Sequence, residues 1–188
     1  MALATTDQPD QTIDFEAMRT LADVPRYHAQ RRPAATALVF EGRETTFAEF
    51  DRRTNQAAQA LLAEGLGKGD RIAYLGKNSD HYFELLFGAA KVGVVMAPIG
   101  WRLAPPEVAY IAGDAEAKML FVGTEVMACA NQIAPELAGV KMVAMEPGST
   151  GWPTYEAWRD AQPARDPELP LAQRQLAAQL YTSARTRR

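Results

Sequence analysis

Three glycine-bearing stretches, two histidines and one cysteine are the residues of this chain whose types and spacing invite chemistry. Gly65-Leu-Gly67-Lys-Gly69 has the look of a phosphate fingerprint, in which backbone N–H groups at a helix start meet an anion. Such a site needs a strand before it and a helix after it. Here the order is reversed, so the stretch reads as a helix-exit turn. Gly88-Ala-Ala-Lys-Val-Gly93 has the outer spacing of a phosphate loop, but Val94-Val95 stand where Lys-Ser/Thr is required. It reads as packing. Gly148-Ser-Thr-Gly151 lies between a strand and Trp152-Pro153 and reads as a connection. His81 falls on a first helical turn without a neighbouring nucleophile, and His28 stands near a helix end. Both read as surface or capping residues. Cys129 reads as a small buried or half-buried apolar residue of a helix, and no carboxylate pair stands at catalytic spacing.

Composition narrows the classes further. Lys plus Arg number 20 against 23 Asp plus Glu, a net charge of −3, which provides no electrostatic footprint for nucleic acid. One cysteine excludes an internal disulfide framework and a four-cysteine zinc site. The first residues have neither the basic start nor the apolar run of a secretory signal. The most apolar stretch, 82–101, is broken by Glu84, Lys91 and Pro98 and falls short of a transmembrane segment. The expected compartment is the cytoplasm. At 188 residues and 47% apolar content, the chain is long enough to bury a core without staples.

The elements that must position any site follow from local pattern. Residues 1–19 are polar and expected to be a flexible lead-in. Thr20 and Asp23 open a short helix ended by Arg32-Pro33, with Pro25 tolerated near its first turn. Residues 37–40 and 44–47 suggest a hairpin. Thr46 and Glu49 fit a capping box for a helix to about Glu64, with Phe47, Phe50, Ala57, Ala58 and Leu61 inward. Glu49, Arg52, Arg53, Gln56 and Gln59 take its wet side. A strand is expected at 71–75, and a helix from Ser79 to Lys91 that is apolar around most of its circumference, with only Asp80, Glu84 and Lys91 as a thin polar stripe. Strands at 94–98, 118–122 and 141–145 alternate with helices at 105–114 and 124–138. A short helix at 154–161, a proline-bearing loop at 163–170 and a strand at 176–183 complete the series. The pattern predicts an α/β fold, mainly a parallel sheet with helices on both faces.

Five segments in order resemble the N-terminal part of the AMP-forming acyl-CoA synthetases, the adenylate-forming superfamily. They are Thr45-Thr-Phe-Ala-Glu-Phe50; Gly69-Asp-Arg-Ile-Ala-Tyr-Leu75 with Asn78-Ser79; Phe83 to Gly93 with Ala97-Pro98 and Trp101-Arg-Leu103; Glu107 to Asp114 with Ala115, Ala117-Lys118 and Leu120-Phe-Val122; and Leu180-Tyr-Thr-Ser183. Gly100 departs from the asparagine common there. The resemblance implies a partial AMP-binding (adenylation) domain over residues 20–183. It implies a fatty-acid–CoA ligase chemistry: a carboxylate attacks the α-phosphate of Mg-ATP, giving an acyl-adenylate and releasing pyrophosphate, and the CoA thiol then displaces AMP from the acyl-adenylate. ATP, Mg and CoA are the cofactors of that family, and a fatty or other carboxylic acid is its substrate.

Phosphate charge in that chemistry must be met by donors and cations, and the family uses a Tyr-Thr-Ser-Gly-Thr-Thr-Gly-x-Pro-Lys-Gly loop. Tyr181-Thr182-Ser183 begins it, and Thr186 still matches, so Thr182, Ser183 and Thr186 are its expected phosphate-contacting remnant. Ala184, Arg185 and Arg187 depart from it, and the chain ends at Arg188. Glycines there permit positive φ and close backbone approach to phosphate, so residues 184–188 read as an aberrant basic tail. The family's acyl pocket, adenine contacts, magnesium-associated glutamate and C-terminal lid all come later in sequence. The expectation is therefore a fragment, left by a frameshift, an early stop or an assembly artefact, with no catalytic or metal residues of its own and no ligase activity. It would self-associate through exposed apolar surface. A non-catalytic α/β interaction module and one half of a split enzyme stay open beside it.

Overall fold

The computed structural model describes residues 13–148 and 151–181. A 3-10 turn, Phe15–Ala17, leads to α1 (Asp23–Arg31). The Thr20 amide and hydroxyl both donate to the Asp23 carboxylate, at 2.8 and 2.9 Å, which fixes the helix start. β1 (Thr36–Phe40) and β2 (Arg43–Thr46) form the expected antiparallel hairpin. α2 (Phe47–Ala63) starts at Thr46, whose hydroxyl accepts from the Glu49 amide at 3.3 Å. Only this half of the capping box is made, because the Glu49 carboxylate accepts from Arg52 and Arg53 instead.

β3 (Arg71–Leu75), β4 (Val95–Ile99), β5 (Met119–Val122) and β6 (Lys141–Ala144) form a parallel sheet in the order β4-β3-β5-β6. Between and after them run α3 (Asp80–Val92), α4 (Pro105–Asp114), α5 (Met127–Ile133) and α6 (Tyr155–Asp160). Alternate strand residues serve opposite faces, as the two-residue period of a strand requires. Ile72, Tyr74, Met96, Phe121 and Val143 pack against Leu61 of α2, Leu85 of α3 and Trp158 of α6. Ala73, Leu75, Ile99, Leu120 and Val122 pack against Val108 and Ile111 of α4 and Ile133 of α5. The sheet is thus covered on both faces, as expected.

Gly88 sits where α3 crosses α2. A Cβ there would lie 2.7 Å from the Ala57 Cβ and 2.9 Å from the Thr54 carbonyl oxygen, so the approach requires glycine. Gly93 ends α3 at φ 72°, the left-handed position that suits glycine at a helix end. Both observations bear out packing, not phosphate binding, for 88–93.

Four expectations change. The helix over 124–138 is broken into a 3-10 turn, α5 and a second 3-10 turn at Ala134–Glu136, where Pro135 cannot continue the α ladder. Gln56 is not on a wet side: it is 6% exposed, because residues 162–165 cover that part of α2. His28 is not on the surface. It is buried against Phe47, with ring centroids 4.7 Å apart, and accepts from Arg32 Nε at Nδ1. Burial, and then the Arg32 charge, lower its pKa below the ordinary imidazole value. The strand at 176–183 reduces, among its described residues, to one bridge between Ala178 and Met96.

Candidate functional site

Thr182, Ser183 and Thr186 lie outside the described residues, as do Ser149 and Thr150 of Gly148-Ser-Thr-Gly151. What the structure defines is the stem that delivers Thr182. The Met96 amide of β4 donates to the Ala177 carbonyl at 3.0 Å, and the Gln179 amide returns a bond to the Met96 carbonyl at 2.9 Å. The next rung of a parallel ladder would need an N–H at Pro98. Proline has none, so pairing stops there, which is why the expected strand is short. Side chains take over beyond it. Arg71 Nε donates to the Gln179 carboxamide oxygen at 2.9 Å, the Gln179 amide group donates to the Tyr181 hydroxyl, and that hydroxyl donates to Asp114 at 2.7 Å. Burial, reinforced by Asp114, pushes the Tyr181 phenol up to about 12.

The stem is fed by a strap, residues 162–171, that crosses α2 and the end of α3. Gln56 and Gln59 donate to the carbonyls of Gln162 and Arg165, at 3.0 and 2.8 Å. Asp166 receives both Nε and a terminal nitrogen of Arg26, at 2.6 and 2.8 Å, and the Lys91 ammonium at 3.3 Å. Burial opposes the Asp166 charge. The Arg26 and Glu168 hydrogen bonds and the Lys91 charge outweigh it and hold the carboxyl well below the ordinary range. Lys91 is fully buried and also bonds Asp51, at 2.6 Å, and Asn55. One helical stretch on, fully buried Glu84 accepts from Arg53 and from Arg159 of α6, and Asp80 accepts from Arg43.

The polar stripe of α3 is therefore wholly buried and wired to other elements. Asp51 and Asp166 escaped the sequence reading, which has Lys91 only as part of a thin polar stripe. A signal existed: Glu84 and Lys91 stand seven residues apart on one face of a helix that is otherwise apolar, where a solvated charge has no place.

The usual ligand crevice of an open parallel sheet lies beyond the carboxyl ends of the strands where their order reverses, here between β3 and β5. The chain fills it itself. A Cβ on Gly76 would come within 3.2 Å of Gly123, and the Glu125 carboxylate accepts from the Lys77 amide at 2.6 Å. Beside it, Lys77 and Arg102 lie against the Trp101 ring, at 4.9 and 4.3 Å. His81 pairs with Glu156 at 3.5 Å. Cys129 is half-buried in α5, and burial raises its thiol pKa. Among the described residues no group of three or more His, Cys, Asp or Glu is placed to hold a metal ion, so no magnesium set is drawn from them.

The described residues thus form a parallel sheet with a strap-fed segment seated on its edge strand β4 and tied down at Tyr181. The sequence pattern of the AMP-binding enzymes matches residues 25–186, most of the chain. The chain belongs to the AMP-binding enzyme family. A fatty acid–[acyl-carrier-protein] ligase, ScoC of Streptomyces coeruleorubidus, is 38% identical over 170 residues, covering 90% of this chain and 31% of the relative. An indoleacetate–CoA ligase of Aromatoleum aromaticum is 35% identical over 146 residues, covering 76% of this chain and 28% of the relative. Among solved structures, a Mycobacterium tuberculosis fatty acyl CoA synthetase superposes with a TM-score of 0.77 at 28% identity, over 88% of this chain and 33% of that one. The chain spans about a third of the length of the relatives it matches. Enzymes of this family are acid ligases that generally use ATP, Mg and CoA. No helix among the described residues of this one is long and apolar enough to cross a membrane.

Proposed function

We propose that this chain is the N-terminal part of a ligase that activates a fatty acid with ATP to an acyl-adenylate and passes the acyl group to a thiol. The observation that carries the reading is the seat of residues 177–179 on β4, with Tyr181 tied to Asp114, directly ahead in sequence of Thr182-Ser183, the order in which the phosphate loop begins. The fatty-acid assignment draws support from the 38% identity to the fatty acid ligase ScoC. The indoleacetate ligase, at 35%, marks the competing acid class. A carboxylate acylates poorly until its oxygen carries a good leaving group. The work of the loop is to meet the phosphate charge of that leaving group with backbone and hydroxyl donors. We place that work in the cytoplasm, the compartment that supplies ATP and CoA.

By the same reading the 188-residue chain on its own does not turn over. Ala184, Arg185 and Arg187 replace loop positions whose backbone must approach phosphate, and Leu176 and Leu180 leave the stem with 66% and 73% exposed apolar side chains that favour self-association. Pyrophosphate release is the test, with ATP, CoA and a panel of fatty, indoleacetic and benzoic acids. The purified chain is expected to release none, and turnover by it overturns the inactivity. Co-expressed with the polypeptide encoded directly downstream, it is expected to favour fatty acids. A preference for aryl acids overturns the substrate class.

A further inference from the structure

The stem that carries Thr182 is thinly held. Two backbone hydrogen bonds join it to β4, Gln175 adds one to the Gly93 carbonyl at 3.3 Å, Gln179 and Tyr181 reach Arg71 and Asp114 through their side chains, and both of its leucines face solvent. Ordering seven residues costs conformational entropy that these few contacts offset only in part, so the register of the stem also depends on what holds the chain upstream.

Upstream lies the strap, and its strongest anchor is Asp166. Both oxygens of that carboxylate are engaged: Oδ2 by Arg26 Nε and Lys91, Oδ1 by the second Arg26 nitrogen and the Glu168 amide, the last at 2.8 Å. Glu168 adopts φ 49°, a left-handed turn that the Asp166 bond to its amide holds in place. From there the chain passes Leu171, whose side chain packs on Gly93, to the stem.

We propose that Asp166 is a positioning residue: clamped by Arg26 of α1 and Lys91 of α3, it holds the strap taut and so sets the register of residues 175–181 on β4, ahead in sequence of the proposed phosphate loop. The proposal rests on the reading of Tyr181-Thr182-Ser183 as the start of that loop. The clamp has a particular economy. Without Asp166, Lys91 keeps Asp51 and Asn55, and Arg26 keeps Asp23 at 3.3 Å. Opening the clamp leaves no buried cation alone, so its effect falls on the strap and stem and spares the core.

Hydrogen–deuterium exchange on the 188-residue chain tests this, comparing Asp166→Asn, Asp166→Glu and Arg26→Gln with the parent. In Asp166→Asn, peptides covering 172–181 are expected to exchange at least tenfold faster, while those of β3 and β5 keep their parent rates. Arg26→Gln opens the clamp from the other side and is expected to reproduce the pattern. Asp166→Glu, which retains the charge, is expected to bring protection back to within threefold of the parent. The proposal is overturned if 172–181 stay protected in Asp166→Asn and Arg26→Gln, if β5 loosens in step with them, or if Asp166→Asn fails to fold. No nucleotide enters the measurement, so the clamp stands or falls separately from the phosphate-loop reading, which the pyrophosphate assay addresses.

Discussion

The two faces of the central sheet are held by different physics. On the face covered by α2, α3 and α6, charge is buried among the apolar side chains: Asp80, Glu84, Lys91 and Arg159 are each less than 5% exposed, and each has an opposite charge within bonding distance. On the face covered by α4 and α5, the described core is Val108, Ile111, Leu120, Val122, Ile133 and their apolar neighbours, with no buried charge. Apolar packing tolerates many arrangements of similar volume, whereas a buried ion is acceptable only where its partner stands. The difference teaches where this chain needs definite geometry: the charged face is the one that the strap crosses on its way to the stem.

The largest test of the contrast breaks a pair on the charged face. Glu84→Leu leaves Arg159, 3% exposed, without one of its carboxylates, and is expected to cost about 3–5 kcal/mol in urea unfolding. Adding Arg159→Met to it is expected to recover part of that loss, since both charges then leave together. If the double variant is instead less stable than the single, the two residues do not act as a unit.

Glycine substitutions sharpen the contrast at smaller scale. Gly88→Ala on the charged face forces its new methyl into Ala57 and the Thr54 carbonyl, and is expected to lose about 1–3 kcal/mol. Gly113→Ala in α4 meets nothing within 4 Å. It is expected to gain about 0.4–1 kcal/mol from the reduced freedom of the unfolded chain. Thermal or urea midpoints moving in the same direction for both would remove the distinction.

Acid sets the smallest difference. Glu49 is held down to about 2, first by its hydrogen bond from Arg52, with burial opposing and Arg53 assisting. Asp160 is lowered by Arg159 and Asp166 by the clamp. Each has a folded pKa below its unfolded one. Each therefore contributes stability above the ordinary carboxylate range, and that contribution is lost as pH falls from about 4.5 toward 2. The urea midpoint is expected to drop over that window and to drop less in Asp166→Asn. An unchanged pH slope in that variant would mean the clamp is not one of the groups responsible.

Much of this was legible in the residues. Thr46 and Ser79 as caps, Gly93 as the end of α3, and strands apolar on both sides follow from local rules. Bonds spanning three or four residues are written within a few letters of the sequence. Pro98 could have been read as well, since a proline in a parallel strand marks an edge and limits what pairs beside it. The burial of Gln56 could not, because its partner is the Gln162 carbonyl, 106 residues away. The α2 surface carrying Gln56 looks solvated in any local pattern, and Gln56 is buried only because the strap returns over it.

The sequence by itself determined the order and type of the elements, the parallel α/β sheet and the kinship with AMP-binding enzymes, because periodicity, capping and motif order are local properties. The tertiary structure alone decided which charges are buried and what the strap holds. A charged side chain enters the core only if its counter-charge arrives there too, and for Lys91 and Asp166 the two arrive from positions 75 residues apart.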